Sequence, residues 1–206
     1  PLEYYQINVN GTISLLMAMK LTGVKKFLFS SSAAVYGEPD ICPINESHAL
    51  KPLNPYAQTK VIVEQILDDI SKAENDWSVV CLRYFNPIGS HASGLIGDDP
   101  LSGKNSNLMP EIIKVVKGFK NNLHIFGDDY ETFDGTGIRD YIHIMDLSEA
   151  HVTALDFIDK NNGINFFNIG TGKGVSVLEL IRTFEDVSGF KLPIKISKRR
   201  KGDSAI

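Results

Sequence analysis

The sequence predicts an α/β fold organised on a parallel, doubly wound sheet. Segments with helical period alternate with short runs of branched and aromatic side chains, and the connections between those runs are long enough for crossovers rather than hairpins. Composition agrees: 206 residues, 43% hydrophobic and 22% charged, make an ordinary globular chain able to bury a core. One domain, or one domain and part of another, is expected.

The elements follow in order. Ile13, Leu16, Met17 and Leu21 recur at three- and four-residue spacing, and Gly23 stands where a left-handed cap would end a helix. VKKFLF, residues 24–29, reads as a buried strand that stops at Ser30, Ser31 and Ser32. Residues 38–55 carry four prolines and no period, so they form a surface loop. Asn54 then caps a helix in which Pro55 suits the first turn and Ile62, Ile66 and Ile70 share a stripe. WSVVCLRYFNPIG, residues 77–89, reads as a second buried strand ending in a polar turn.

The texture changes near residue 92. Gly, Asp, Ser and Asn fill residues 93–107, and shorter elements follow: helical LMPEIIKVVKG and VLELIRTFEDVSG, strand-like NLHIFG, NFFNIG and LPIKIS. An appended lobe would look like this. Asp146 with Glu149 three residues on reads as a capping box opening the helix SEAHVTALDFI.

A formal net charge of −4 argues against a general nucleic-acid binder, because phosphate neutralisation needs an excess of Lys and Arg. Cys42 and Cys81 form no disulfide framework, and no stretch of about 18 apolar residues or leader pattern is present, so a cytoplasmic protein is expected. His48, His91, His124, His143 and His151 lack zinc-ligand spacing. The chain begins at Pro1 and enters a helical pattern directly, which suggests an excerpt of a longer protein.

In open parallel sheets ligands lie beyond the carboxyl ends of the strands, where Ser30 to Ser32 and Tyr84, Phe85 and Asn86 fall. Tyr56 and Lys60 lie one helical turn apart, so the ammonium is expected near the phenol, favouring phenolate over the reference pKa of about 10. The bare Tyr-x-x-x-Lys spacing is weak evidence, since such pairs are common at helix starts. Its weight comes from the company of a serine-ended strand and a second strand ending in Asn.

SSSAAVYGEP, NPYAQTK, LRYFNPIGSH, SNLMP, IFGDDYETFDGTGIRDYIHIMDL and RRKGD, in this order and spacing, resemble the extended short-chain dehydrogenases, and within them the UDP-glucose (UDP-galactose) 4-epimerase group. The resemblance spans nearly the whole chain. It implies a Rossmann-like doubly wound sheet with a smaller mixed α/β substrate lobe. Residues 1–91 would be part of the NAD-binding domain and 92–206 mainly the lobe, with residues 140–170 returning to the first domain.

The resemblance implies Tyr56 as catalytic base and acid, Ser32 as its partner, and Lys60 on the nicotinamide ribose and lowering the phenol pKa. Asn8 and Phe85 would contact NAD or support its site. Asn86, Asn107, Leu108, His124, Phe126, Arg139, Arg200 and Asp203 would hold a UDP-hexose, the arginines on the diphosphate, where a guanidinium fork fits best. A homodimer pairing the helices at residues 9–21 and 57–71 is also implied. The family's glycine-rich NAD loop would precede Pro1, and its C-terminal end would follow Ile206, so the piece alone is expected to be inactive.

Two departures stand out: Ala34 replaces a threonine usual in SSSATVYG, and YAQTK differs from YGKSK or YGKTK. Neither removes a catalytic atom. NIGTGKGVS offers Gly170, Gly172 and Gly174 between a strand and a helix, but Val175 stands where the dinucleotide fingerprint needs glycine, so a tight turn is expected. KRRK at 198–201 could be a solvated tail or a nuclear-import patch, but its continuation into Gly202 and Asp203 favours the phosphate-binding turn that the resemblance implies. Among rival reactions, dehydration is disfavoured because Ala33 and Ala34 follow Ser32 where dehydratases carry an Asp-Glu pair. A UDP-sugar decarboxylase or a non-catalytic nucleotide-sugar binder remains as an alternative.

Overall fold

The structure is a computed structural model and describes residues 1–100, 107–200 and 202–206. Residues 101–106 of the polar loop and Lys201 of the basic run lie outside the described residues. Two compact units result, Pro1–Phe85 with Asp146–Gly170, and Asn86–Met145 with Thr171–Ile206.

The first unit holds β1 (Lys26–Ser30), β2 (Ser78–Tyr84) and β6 (Gly163–Ile169) in a parallel sheet of order β1-β2-β6. Its helices are α1 (Leu2–Tyr4), α2 (Gly11–Thr22), α3 (Pro55–Ala73) and most of α5 (Ile144–Ile158), with a π-helical turn over Tyr5–Asn10 joining α1 to α2. The side-chain period of two sends Val79 and Cys81 of β2 toward Leu16 and Met19 of α2 and Val63 and Leu67 of α3. Val80 and Leu82 point the other way, onto Ala154 and Ile158 of α5. Both sheet faces are therefore covered, which is why VVCL shows no polar alternation. Each of the Val, Leu, Ile and Met side chains among these contributes about 1.5–3 kcal/mol by leaving water.

Gly23 ends α2 at φ 73°, the left-handed cap expected there. The stripe on α2 differs from the one its spacing suggested: Leu16 and Met19 are buried, whereas Met17 and Leu21 are 64% and 88% exposed. This helix is apolar on more than one face, so periodicity alone cannot choose the inner one. On α3, Asn54 accepts a hydrogen bond from the Ala57 N–H at 2.9 Å and Pro55 takes the first position. The buried stripe there is Val63 and Leu67, with Ile66 and Ile70 packed at its margin.

WSVVCLRYFNPIG is not one strand. β2 ends at Tyr84 and β3 (Asn86–Ile88) joins a different sheet, of order β3-β5-β7, with β5 (Ile138–His143) and β7 (Gly174–Ser176). Pro87 has no N–H for a ladder and sits on the edge strand of that sheet, as proline must. The second unit adds α4 (Leu108–Val116), α6 (Val177–Ser188) and the parallel pair β4 (Leu123–Phe126) and β8 (Ile194–Ser197). Ile112, Val115, Leu123, Ile125, Leu180, Ile181 and Leu192 form its core.

The proposed capping box at Asp146 is corrected by the structure. α5 already begins at Ile144, so Asp146 lies inside its first turn, and the ring nitrogen Nδ1 of His143 accepts from the Met145 N–H at 3.2 Å. The carboxylate still complements the positive end of the helix. The box lies instead at Ser176, which accepts from Glu179 N–H while the Glu179 carboxylate returns to Ser176 N–H. Among the described residues no helix is long and apolar enough to cross a membrane.

Candidate functional site

Three elements of the first unit converge at the carboxyl end of its sheet. Strand β1 delivers Ser30, Ser31 and Ser32, and Ser32 is extended (φ −157°) so that its hydroxyl accepts from Ala34 N–H at 3.2 Å and caps the short turn Ala33–Tyr36. Helix α3 presents Tyr56 and Lys60 in successive turns. The Lys60 ammonium donates to the Ser30 carbonyl at 2.8 Å and lies 4.9 Å from the Phe29 ring centre and 5.5 Å from that of Tyr56. The tie from α3 back to the β1 end draws the tyrosine toward the serines. Tyr4 meets the Tyr56 ring edge-on at 6.2 Å.

The electrostatics correct one expectation. Burial is the largest influence on Tyr56 and raises its pKa above the ordinary phenol value; the neighbouring phenols Tyr84 and Tyr4 add to the rise, and a hydrogen bond with Ser32 offsets part of it. Lys60 was expected to bring the phenol below that value, but its ammonium is itself desolvated, with its pKa lowered by burial and only partly restored by Glu64. It is directed at a backbone carbonyl rather than at the phenol oxygen.

Asn8 sits in the π-helical turn, and its amide donates to the Thr59 hydroxyl at 2.9 Å, which in turn donates to the Tyr56 carbonyl at 2.7 Å. It braces the first turn of α3. Phe85 follows β2 and its N–H is held by the Ile169 carbonyl at 3.0 Å, fixing the chain just past the sheet.

The second unit gathers a different set. Arg200 lies over the Phe126 ring at 4.7 Å and pairs with Asp203 at 2.9 Å. His124 stacks beside Phe126, 6.4 Å between centres, and its Nδ1 shares a hydrogen bond with Ser197 at 2.9 Å. Arg139 donates to the carbonyls of Ile138 and Ser204, the latter at 2.9 Å, which anchors the segment carrying Asp203. Asn86 stands on β3 opposite Tyr141, Asn107 precedes α4, and Leu108 opens that helix and packs on the lobe core. Arg199 of the basic run pairs with Asp129 at 2.7 Å and lies over Tyr130 at 4.1 Å.

The glycine-rich stretch after β6 is occupied by the protein itself. The Asp140 carboxylate accepts from the Thr171 N–H at 2.9 Å and the Gly172 N–H at 2.7 Å, and from the Thr171 hydroxyl at 2.7 Å. Amides that would face a pyrophosphate in a dinucleotide loop are spent on an internal carboxylate. A short strand, β7, then intervenes before α6, a longer route than a tight strand-to-helix turn.

Sequence reading missed a buried polar network beneath the site. Glu64 and Arg83 are 3% and 4% exposed, and the guanidinium donates to both carboxylate oxygens, at 3.0 and 2.7 Å. Ser31 donates to the same carboxylate at 2.6 Å, and Arg83 reaches the Tyr36 hydroxyl at 2.9 Å, which donates onward to Asn168 at 2.7 Å. Burial pulls the Arg83 pKa down, but the bonds to Glu64 and Tyr36 outweigh it and leave it raised. A signal was present in VVCLRY: Arg83 falls on the same face of β2 as Val79 and Cys81, and a charge on a buried face demands a partner.

These features define a class, the Rossmann-like α/β proteins with a serine, tyrosine and lysine gathered at the strand ends. The chain belongs to the NAD dependent epimerase/dehydratase family, whose model matches residues 1–170. It is 52% identical over 205 residues to a UDP-glucose 4-epimerase of Bacillus subtilis, covering 100% of this chain and 60% of the relative. The human UDP-glucose 4-epimerase is 48% identical over 206 residues, covering 100% of this chain and 59% of the relative. The chain thus spans about 60% of the length of the curated relatives it matches. Among solved structures, the Bifidobacterium longum UDP-glucose 4-epimerase in complex with NAD+ and UDP superposes with a TM-score of 0.95 at 48% identity, covering 100% of this chain and 61% of that one. The Stenotrophomonas maltophila UDP-glucose-4-epimerase with bound NAD and formylated UDP-arabinopyranose gives 0.94 at 49% identity, again over 100% and 61%.

Proposed function

We propose that the full-length protein interconverts UDP-galactose and UDP-glucose by oxidation and re-reduction at C4, with Tyr56 as the base and acid. The observation that carries this reading is the meeting of Tyr56, Ser32 and Lys60 at the carboxyl ends of parallel strands. Tyr56 accepts the proton of the sugar 4-hydroxyl as C4 gives up hydride, and returns it when hydride comes back to the other face of the 4-keto sugar. Ser32 hydrogen-bonds the phenol and orients the sugar oxygen. NAD, when bound, supplies the hydride acceptor and donor. The Lys60 ammonium at the β1 end and Phe85 past the β2 end fit its nicotinamide ribose end. The Gly170–Gly174 stretch does not fit its pyrophosphate, because Asp140 holds those amides.

In the second unit, Arg139 and Arg200 would bind the diphosphate, with Asn86, Asn107, Leu108, His124, Phe126 and Asp203 holding the rest of the UDP-hexose. Firm contacts to the non-reacting UDP anchor the molecule while the sugar turns over. Dehydration is disfavoured by the turn after Ser32, where Ala33 and Ala34 offer no carboxyl. We further propose a cytoplasmic homodimer paired through α2 and α3, supported by the exposed Met17 and Leu21 on α2. Neither nucleic acid nor membrane is a proposed partner.

The test is Tyr56→Phe in the full-length protein, which should abolish interconversion of the two UDP-hexoses while UDP binding stays within about twofold. Unchanged turnover removes Tyr56 from the reaction. Sedimentation of the same protein checks the dimer, and a strictly monomeric species contradicts it.

A further inference from the structure

We propose that Ser31, Glu64, Arg83 and Tyr36 are positioning residues that hold the Ser32 hydroxyl in register with the Tyr56 phenol. The inference rests on the role given to Ser32 above and adds residues that touch neither substrate nor cofactor. Ser32 is gripped from both sides in sequence. The residue before it, Ser31, is completely buried and donates to Glu64 at 2.6 Å. The turn after it, which Ser32 itself caps, ends in Tyr36, whose hydroxyl is held between Arg83 at 2.9 Å and Asn168 at 2.7 Å.

Glu64 closes the loop, because it stands on α3, one turn beyond Lys60 and two beyond Tyr56. The helix that carries the phenol and the strand end that carries the serine are thus joined through one carboxylate. Arg83 joins both to β2, and its stacking on the Phe166 ring at 4.5 Å extends the join to β6. The loop of residues 38–53 adds to it: the Glu46 carbonyl accepts from Arg83 at 3.3 Å, and the Glu46 carboxylate and Ile44 carbonyl accept from Asn168 at 2.8 and 3.0 Å.

Stability alone is a poor reason for such an arrangement. A buried ion pair is often matched or bettered by apolar side chains of similar volume, since desolvation consumes most of the attraction. An apolar pair at 64 and 83 would fill the space and leave Ser31 without an acceptor. A hydroxyl that must share a proton within a few tenths of an ångström gains from a rigid neighbour.

A double-mutant cycle on the full-length protein decides the point. Ser31→Ala should lower kcat for UDP-galactose about tenfold with KM within about twofold. On a Ser32→Ala background the same substitution should change kcat by less than about twofold, because its route of action is gone. Equal losses on both backgrounds would mark Ser31 as merely structural and overturn the inference, as would an unchanged kcat in Ser31→Ala alone. Should Ser31→Ala fail to fold, Tyr36→Phe takes its place in the cycle under the same criteria. If Ser32→Ala by itself retains full kcat, the reading of Ser32 falls and takes the network with it. Additive losses beside a damaging Ser32→Ala overturn the network alone.

Discussion

Glu64→Gln tests the buried pair as a matter of stability. Both side chains are almost fully enclosed, at 5% exposure for Arg83 and 3% for Glu64, so the amide would leave a guanidinium without its counter-charge and without one of the two Glu64 oxygens that accept from it. Removing one partner of such a pair costs about 3–5 kcal/mol. For a protein of this size that corresponds to a fall in Tm on the order of 10 °C. The double replacement Glu64→Leu with Arg83→Met removes both charges together. It should recover much of the loss, leaving the unmet hydroxyl of Ser31 at about 1–2 kcal/mol, since the Tyr36 hydroxyl keeps Asn168 as its acceptor. Thermal melts of wild type, Glu64→Leu, Arg83→Met and the double variant form a closed cycle, whose coupling energy should reach at least about 2 kcal/mol. A coupling near zero, with the double variant as unstable as the two singles added together, would refute the claim that the two charges answer each other.

Three further outcomes are expected. Gly174→Ala places a methyl 2.4 Å from the Ile138 side chain and should destabilise by about 1–3 kcal/mol, yet leave NAD affinity unchanged in isothermal titration, since this stretch is no phosphate cradle. Asp134→Asn should destabilise by about 1–3 kcal/mol near neutral pH, measured by denaturant melts. Burial would raise the Asp134 pKa, but bonds from Ser176 and from the Thr136 backbone and hydroxyl outweigh it and hold the carboxyl below its ordinary 3.8. That stabilisation is complete above the ordinary value and is lost as pH falls through the lower folded one, so the variant's deficit should vanish in strong acid. Asn54→Ala, which removes the cap on Ala57 N–H, should cost about 1 kcal/mol and lower kcat, because the freed turn carries Tyr56.

Much of this was legible in the residues. VKKFLF and the first part of WSVVCLRYFNPIG read as buried strands because both faces of the sheet are covered, although the second run reads as one strand where the structure has two in different sheets, and Asn54-Pro55 marked the start of α3 because cap chemistry is local. The Ser-Tyr-Lys meeting followed from strand ends and helix spacing. What escaped depends on partners far along the chain. The inner face of α2 was hidden by apolar residues all round it, and only the sheet selects Leu16 and Met19 over Met17 and Leu21. The start of α5 was misplaced because His143, a weak capping residue on general preference, caps through its ring in this geometry. The phenol pKa went the other way because burial and the phenols of Tyr84 and Tyr4 are tertiary facts that helix spacing does not contain.

That last reversal leads to a pH experiment. A base must be deprotonated to act, so kcat/KM should climb with pH through the pKa of Tyr56 in the protein as it meets substrate. Burial holds that pKa up, and the Ser32 hydrogen bond works against burial by stabilising the phenolate. Ser32→Ala removes the opposing influence, so the ascending limb should move to higher pH. Lys60→Met should move it the same way, since an ammonium 5.5 Å from the ring centre favours the anion. If Ser32 acts through the pKa alone, the variant and the wild type approach one another on the alkaline plateau. If it also orients the sugar oxygen, the plateau stays lower while the limb still shifts. A limb that keeps its place, with a uniform loss at every pH, would mean that Ser32 does not bear on the ionisation of Tyr56, and that the charge needed to make a phenolate comes entirely from elsewhere in the site.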